Sequence, residues 1–387
     1  MRLIGNKTRL LGEIEGLLDE RGIRRGTFID IFSGTASVGR HFKARGFRVI
    51  ANDALPMCYT KAVHEIEVGA CPSFSSLLSK HGFATGDAAT SPVEHAVRLL
   101  AAAPPEEGLV FRSFSPGGGG GRMYFTDQNA RRMDGMLRFL RENGRDGSLE
   151  RRELHLLLST LLDAADRVAN ISGTYGAYLK SWQPNAVAPI ALRIPEIIPS
   201  RLENLAFNED ANSLVRRIRG DVLYADPPYN HRQYAANYHV LLILAEHHGI
   251  DDLEAFEKTL YGKTGLRPYE ELRSSYSVPG EALAAMTDLV LSANVDHVVV
   301  SYNEEGLISR EELGAILARF SGAASFDFDR DMRSIPYRRF RSDADRARGG
   351  SRGARRYKVL PGRGRNEIRE WLLIASRTRA REAAEAR

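Results

Sequence analysis

The feature that most constrains the fold is a strand, a loop, a helix and a second strand that follow one another near the start of the chain. Residues 27–32 form an apolar run that predicts a buried strand, and small residues follow at 33–39. Residues 38–45 predict a helix, and 47–51 predict the second strand. Such a unit implies parallel strands with a right-handed crossover. We therefore expect an α/β fold built on a Rossmann-like sheet.

The rest of the chain divides into an irregular middle and a second α/β part. Strands are predicted at 221–226, 295–302, 324–332 and 368–376, with helices at 240–247 and 311–320. The middle region contains five consecutive glycines, Gly117 to Gly121, which need outside support to hold one conformation. We predict a discontinuous core, 1–70 and 200–378, an inserted and mainly helical domain, 71–199, and a tail, 379–387.

Composition excludes several classes of protein. The only cysteines, Cys58 and Cys71, cannot build a disulfide scaffold or a four-cysteine zinc site. No run approaches the roughly 20 apolar residues of a membrane helix, and the first residues do not resemble a signal peptide. A cytoplasmic location fits best. The net charge of +5 is modest, but 338–365 holds eleven basic residues and two acidic ones.

The first loop, 33–39, is suited to a polar ligand, since the N–H groups of a following helix point towards it. The segment from Gly34 to Gly39 lacks the middle glycine of a dinucleotide-binding motif. The lysine and the hydroxyl residue of a P-loop are also missing after Gly39. S-adenosylmethionine carries no phosphate and has an ammonium group that favours a nearby acid such as Asp30. Asp53, at the end of the next strand, suits ribose hydroxyls. A tight turn without a ligand is the alternative.

The second loop, Asp226-Pro227-Pro228-Tyr229, follows a predicted strand. Two prolines fix φ and remove two donors, so the loop can present a carboxylate, carbonyl oxygens and an aromatic face. A planar exocyclic amine needs such acceptors, because its nitrogen lone pair is delocalised into the ring. Tyr229 would stack on a flipped base. A rigid proline turn that only ends a strand is the alternative.

These motifs together resemble the alpha-group adenine methyltransferases of DNA, of the Dam-like and FokI-type kinds. The matching pieces, in order, are Gly5-Asn6-Lys7, Asp30 to Thr35, Asn52-Asp53 and Asp226 to Asn230, with Arg232-Gln233-Tyr234, Asn237-Tyr238-His239 and Ser301-Tyr302-Asn303 as further matches to FokI-type relatives. Cofactor motifs that precede an insertion and then the catalytic loop define this group.

The resemblance implies a class I methyltransferase that uses S-adenosylmethionine, flips an adenine and methylates its 6-amino group directly, without a metal. The implied cofactor residues are Lys7, Asp30, Phe32, Gly34, Thr35, Asp53, Asp210 and Asp226. The implied catalytic residues are Asp226, Pro227, Pro228 and Tyr229. Two departures stand out. Leu3 replaces an aromatic residue of relatives, and Ala36 replaces a common glycine, which is tolerable unless that position needs positive φ.

Double-stranded DNA is the expected partner, and a separate restriction endonuclease is a candidate one. The predicted DNA contacts are Arg122, Tyr175, Lys180, Asn230, Gln233, Arg338, Arg339, Arg355 and Arg356, with Arg112, Tyr124, Tyr178 and Trp182 as further candidates in the insertion. Each could instead be an ordinary core or surface residue, and the basic stretch could be a solvated loop. We expect the protein to lie in the cytoplasm, associated with the nucleoid.

Other functions remain open at this point. Methylation of the cytosine exocyclic amine needs closely similar chemistry, although Asp226 favours adenine. An RNA or protein-glutamine amine methyltransferase is a second alternative. A DNA-binding module without activity and a P-loop ATPase are alternatives of other classes. Binding of S-adenosylmethionine without binding of ATP would exclude the last of these.

Overall fold

A computed structural model describes residues 1–83, 90–338 and 367–377. Its strands are β1 Thr27–Asp30, β2 Arg48–Asn52, β3 Leu205–Phe207, β4 Val222–Ala225, β5 His297–Asn303, β6 Met332–Arg338 and β7 Glu367–Ser376. They form one sheet with the order β3-β2-β1-β4-β5-β7-β6. The predicted α/β class is therefore confirmed.

The helices of the described residues vary widely in length. They are α1 Leu11–Asp19, α2 Ser37–Ala44, α3 Pro56–Ala62, α4 Ser75–Lys80, α5 Pro92–Ala102, α6 Leu109–Phe114, α7 Asp127–Arg145, α8 Arg151–Arg167, α9 Pro184–Val187, α10 Ala211–Val215, α11 Tyr234–Asn237, α12 His239–Glu246, α13 Leu253–Lys258, α14 Ala282–Ser292, α15 Arg310–Ser321 and α16 Phe328–Asp331. Within residues 1–83, 90–338 and 367–377, none is both long and apolar enough to cross a lipid bilayer.

The strand–loop–helix–strand unit has the predicted form. β1 and β2 are parallel, with Asp30 paired to Ala51, and β2 is parallel to β3, with Asn52 paired to Phe207. α2 packs on this layer through Phe42, whose ring stacks on that of Phe28 at 4.1 Å between centroids. The carboxyl ends of all three strands therefore meet at one edge, where α/β sheets bind ligands.

The last strands are antiparallel. β4 and β5 are parallel, whereas β7 pairs antiparallel with both β5 and β6. The strand predicted at 324–332 is wrong in position. Asp327 accepts N–H bonds from Asp329 and Arg330 and so begins the short helix α16, and β6 starts only at Met332. The stretch that joins β6 to β7 contains nearly all of the basic segment and lies outside the described residues.

The chain divides into two compact units. The first unit comprises Met1–Leu11, Arg25–Ala211 and Gln233–Arg273, and the second comprises Gly12–Arg24, Asn212–Arg232 and Ser274–Arg387. The predicted insertion, 71–199, lies wholly within the first unit. Its helix α8 is buried on most sides because it packs against α3, α7 and α12. Residues 71–199 thus share the first unit with residues that precede and follow them in the chain.

The glycine run receives the outside support that its sequence requires. The Gly117 N–H donates to Asp127 at 2.8 Å. A Cβ on Gly118 would collide with the carbonyl oxygens of both Phe111 and Arg112. Such contacts are far closer than any real Cβ atom makes, so only glycine fits at position 118.

Candidate active site

The first loop begins at Asp30, the last residue of β1. Its carboxylate is buried, and Oδ2 accepts the N–H of Gly39 at 2.9 Å, in the first turn of α2. A carboxylate at a helix N-terminus is favoured by the positive end of the helix dipole. Asp30 therefore fixes the start of the helix that follows the loop.

The loop between β1 and α2 turns through two left-handed residues. Gly34 has a φ of +53° and Ala36 has a φ of +59°. The Ala36 N–H donates to the Ser33 carbonyl at 2.7 Å, and the Ser33 N–H donates to the Asn52 carbonyl at 2.8 Å. Ala36 thus occupies a left-handed conformation that favours glycine. An alanine at this position is therefore strained.

Asp53 joins this loop to the end of β2. Its carboxylate accepts the Gly34 N–H at 2.8 Å and the Leu55 N–H at 2.9 Å. Burial raises the pKa of Asp53 to about 6, and the two N–H donors oppose that rise. The two residues predicted to bind one ligand, Gly34 and Asp53, are thus in direct contact.

The loop after β3 is held at the same edge by Asn52, for which the sequence predicted a strand end and a family match but no contact. Its side-chain N–H donates to the Glu209 carbonyl at 3.1 Å, and its side-chain oxygen accepts the Glu209 N–H at 3.1 Å. Asn208 donates to the Asp53 carbonyl at 2.7 Å. Asp210 follows directly and is exposed. The loops that carry Asp53 and Asp210 are therefore held together.

The start of the chain also reaches the first loop. The Asn6 side chain donates to the Thr35 hydroxyl at 2.8 Å. Leu3 lies against Gly34, since its Cδ2 would be 3.1 Å from a Cβ added there. Lys7 is buried, and Phe32 is half-buried. Leu3, where we expected an aromatic residue, therefore covers the loop at Gly34.

The second loop lies in the second unit, after the fully buried strand β4. Pro227 is buried, whereas Asp226, Pro228 and Tyr229 are half-buried. The Tyr229 carbonyl accepts the Leu307 N–H at 3.1 Å, and its ring meets the edge of the Tyr302 ring at 6.1 Å between centroids. The segment after β5 thus supports the second loop.

Tyr302 and its neighbours Ser301 and Asn303 are held by hydrogen bonds to Ile308 and to Glu370. The Tyr302 hydroxyl accepts the Ile308 N–H at 3.2 Å. Ser301 and Asn303 both donate to the buried Glu370 of β7, at 3.0 and 3.2 Å. Sequence reasoning noted Ser301-Tyr302-Asn303 as a match to relatives but did not find Glu370, because no local pattern links β5 to β7. Of these residues, Tyr302 contacts the second loop through the ring of Tyr229.

Comparison with known proteins decides the family. A family model described as D12 class N6 adenine-specific DNA methyltransferase matches residues 3–316, which include both loops.

The chain belongs to this family of DNA methyltransferases.

Two type II methyltransferases and a modification methylase are among the proteins similar to this D12-class chain. It is 37% identical over 343 residues to M.FokI of Planomicrobium okeanokoites, covering 88% of this chain and 50% of that protein. It is 36% identical over 344 residues to StsI of Streptococcus sanguinis, covering 88% and 49%. It is 33% identical over 346 residues to M.NlaIII of Neisseria lactamica, covering 89% and 93%. The chain thus spans about half the length of the first two and most of the third.

Two of the predicted DNA contacts of this D12-class chain, Tyr175 and Arg122, are bonded to other residues of the protein. Tyr175 is fully buried, and its hydroxyl donates to the buried Asp166 at 3.2 Å, so its assignment as a DNA contact is corrected to a core role. Arg122 donates to the carbonyls of Ser113, Gly262 and Lys263. Its guanidinium thus links the loop that carries Gly262 and Lys263 to Ser113, whereas the sequence predicted that Arg122 contacts DNA.

The other predicted DNA contacts are at least partly exposed to solvent, or they lie outside the described residues. Lys180 is exposed, and Gln233 is half-buried at the start of α11. The Asn230 side-chain oxygen accepts the Arg232 N–H at 3.0 Å and so closes a turn. Arg338 ends β6, whereas Arg339, Arg355 and Arg356 lie outside the described residues. Tyr124, a further candidate, is fully buried.

Proposed function

We propose that this chain methylates the exocyclic 6-amino group of adenine at a specific site in double-stranded DNA, with S-adenosylmethionine as methyl donor. The observation that carries the proposal is the loop Asp226-Pro227-Pro228-Tyr229 at the end of a buried strand, within the residues matched by the adenine-specific family. The similar proteins are themselves named methyltransferases.

The first loop and its neighbours suit S-adenosylmethionine. An ionised carboxylate can accept about four hydrogen bonds, so Asp53 can take ribose hydroxyls in addition to its bonds from Gly34 and Leu55. We propose that the exposed Asp210 contacts the adenine end of the cofactor, and that Thr35 and Gly34 contact its methionine end. When bound, the cofactor supplies the electrophilic methyl group.

The second loop suits the acceptor amine. We propose that the Asp226 carboxylate and the Pro227 carbonyl each accept one N–H of the adenine amine, which favours a tetrahedral and nucleophilic nitrogen. Tyr229 would stack on the flipped base. Its backbone bond from Leu307 and its contact with Tyr302 hold it before any base arrives, so little ordering is left for the bound state.

We further propose that DNA lies against the exposed Lys180 and the basic segment 338–365, and that 71–199 recognises the target sequence. Eleven basic residues among 28 would release many counterions on binding, which supplies affinity without sequence preference. The chain would act in the cytoplasm on the nucleoid. A separate restriction endonuclease that cuts the unmethylated site is the proposed partner, since the similar proteins are named type II methyltransferases.

The test is methylation-aware sequencing of DNA from cells that express the wild type, Asp226→Ala or Asp221→Ala. Asp221→Ala is the matched control, because it removes a carboxyl group from the opposite end of the same strand. We expect one adenine-containing motif to be methylated by the wild type and the control, and none by Asp226→Ala, with retained DNA affinity. Methylated cytosine, or activity in Asp226→Ala, would contradict the proposal.

A further inference from the structure

Segment 2–7 has no regular structure, yet partners distant in sequence hold it firmly. At its start, the Arg2 N–H and guanidinium donate to the Asp166 carboxylate at 2.7 and 3.3 Å, and the guanidinium also donates to the Asp166 carbonyl at 2.6 Å. Tyr175 donates to the same carboxylate from the core side. One buried acid on α8 thus anchors the segment.

Two tyrosine hydroxyls then hold the backbone of Ile4. The Ile4 N–H donates to the Tyr238 hydroxyl at 2.8 Å, and the Tyr234 hydroxyl donates to the Ile4 carbonyl at 3.3 Å. The two tyrosines are one helical turn apart, and their rings stack at 6.2 Å. They follow the second loop in sequence but bind the segment that precedes the first loop.

Asn6 links this segment to the first loop in a defined orientation. Its Oδ1 accepts the Thr8 N–H at 2.8 Å, and a backbone N–H can only donate. Nδ2 must therefore be the atom that donates to the Thr35 hydroxyl at 2.8 Å. Leu3, on the same segment, packs on Gly34. Both Gly34 and Thr35 of the first loop are thus contacted by segment 2–7.

We propose that Asn6, Tyr234 and Tyr238 are positioning residues for the cofactor loop. The tyrosines fix the Ile4 backbone, and this in turn places Asn6 on Thr35 and Leu3 on Gly34, so that the loop is ordered before S-adenosylmethionine binds. The inference rests on the proposed function. It assigns to Tyr234 and Tyr238 a role in cofactor affinity that they exert through Ile4, without touching the cofactor.

Titration calorimetry with S-adenosylmethionine, in the absence of DNA, tests the inference. We expect a roughly 3- to 10-fold weaker Kd in Asn6→Ala and in Tyr234→Phe/Tyr238→Phe, which is the size of effect that loss of a hydrogen bond typically has. Tyr59→Phe is the control. It loses a hydroxyl that accepts from Arg151 at 2.9 Å elsewhere in the first unit, and its Kd should match the wild type.

Combining the variants separates positioning from general stability. Asn6→Ala added to the tyrosine pair should weaken binding by less than the product of the two separate effects, because both act through one segment. Asn6→Asp should restore part of the affinity, since the Thr35 hydroxyl can donate to its carboxylate. Unchanged Kd values with a lowered Tm would overturn the inference alone. A wild type that binds no S-adenosylmethionine would overturn the proposed function, and the inference with it.

Discussion

Replacing Asp53 by Asn should stabilise the protein at neutral pH and weaken its binding of S-adenosylmethionine. Burial raises the pKa of Asp53 from 3.8 to about 6, which corresponds to roughly 3 kcal/mol at 1.36 kcal/mol per pH unit. Between pH 4 and 6 the folded protein keeps a proton that the unfolded chain has released. The free energy of unfolding therefore falls as pH rises through this window, and the full cost is present above pH 6.

An asparagine removes the charge but satisfies only one of the two donors. Its amide oxygen can accept from either Gly34 or Leu55, while its NH₂ group would face the other N–H. An unpaired N–H costs about 1–3 kcal/mol, so the net gain at pH 7.5 should be about 1 kcal/mol. At pH 4, where the wild-type carboxyl is already neutral, the variant should be less stable by about 1–3 kcal/mol.

Urea denaturation between pH 4 and 7.5, without cofactor, measures this difference. The stability of Asp53→Asn relative to the wild type should rise by roughly 3 kcal/mol across the range. Asp210→Asn, which alters an exposed carboxyl after the next strand, is the control and should follow the wild type. Calorimetry should show weaker S-adenosylmethionine binding by Asp53→Asn. Parallel pH curves for Asp53→Asn and the wild type would refute the raised pKa and the reasoning built on it.

Three further predictions follow from single features. Gly118→Ala should lower the free energy of unfolding in urea by about 3 kcal/mol, because its Cβ would collide with two carbonyl oxygens, whereas Gly119→Ala, with open space, should match the wild type. Ala36→Val should destabilise by about 2–3 kcal/mol, because the site is buried and left-handed, while Ala36→Gly should stay within about 1 kcal/mol. Reversing the charges of Arg355 and Arg356 should weaken DNA binding and flatten its salt dependence, and unchanged affinity across a salt series would contradict this.

The local sequence pattern was sufficient to predict much of the fold and the positions of both loops. The apolar run at 27–32, the small residues after it and the prolines after Ala225 act through neighbouring residues, so they can be interpreted without knowing what lies opposite. The same locality explains the error at 324–332. The aromatic residues Phe326 and Phe328 alternate with aspartates and so resemble a strand, but Asp327 accepts two N–H groups and begins a helix.

The sequence by itself thus determined three things. They are the order of the helices and strands, the carboxylates at the strand ends, and the resemblance to adenine methyltransferases. Only the tertiary structure decided that Tyr175 is a core residue, that Arg122 donates to backbone carbonyls, and that Tyr238 holds Ile4 from 234 positions away. The physical reason is range. Burial and hydrogen-bond partners depend on which distant segments meet, and no short pattern in the chain encodes that meeting.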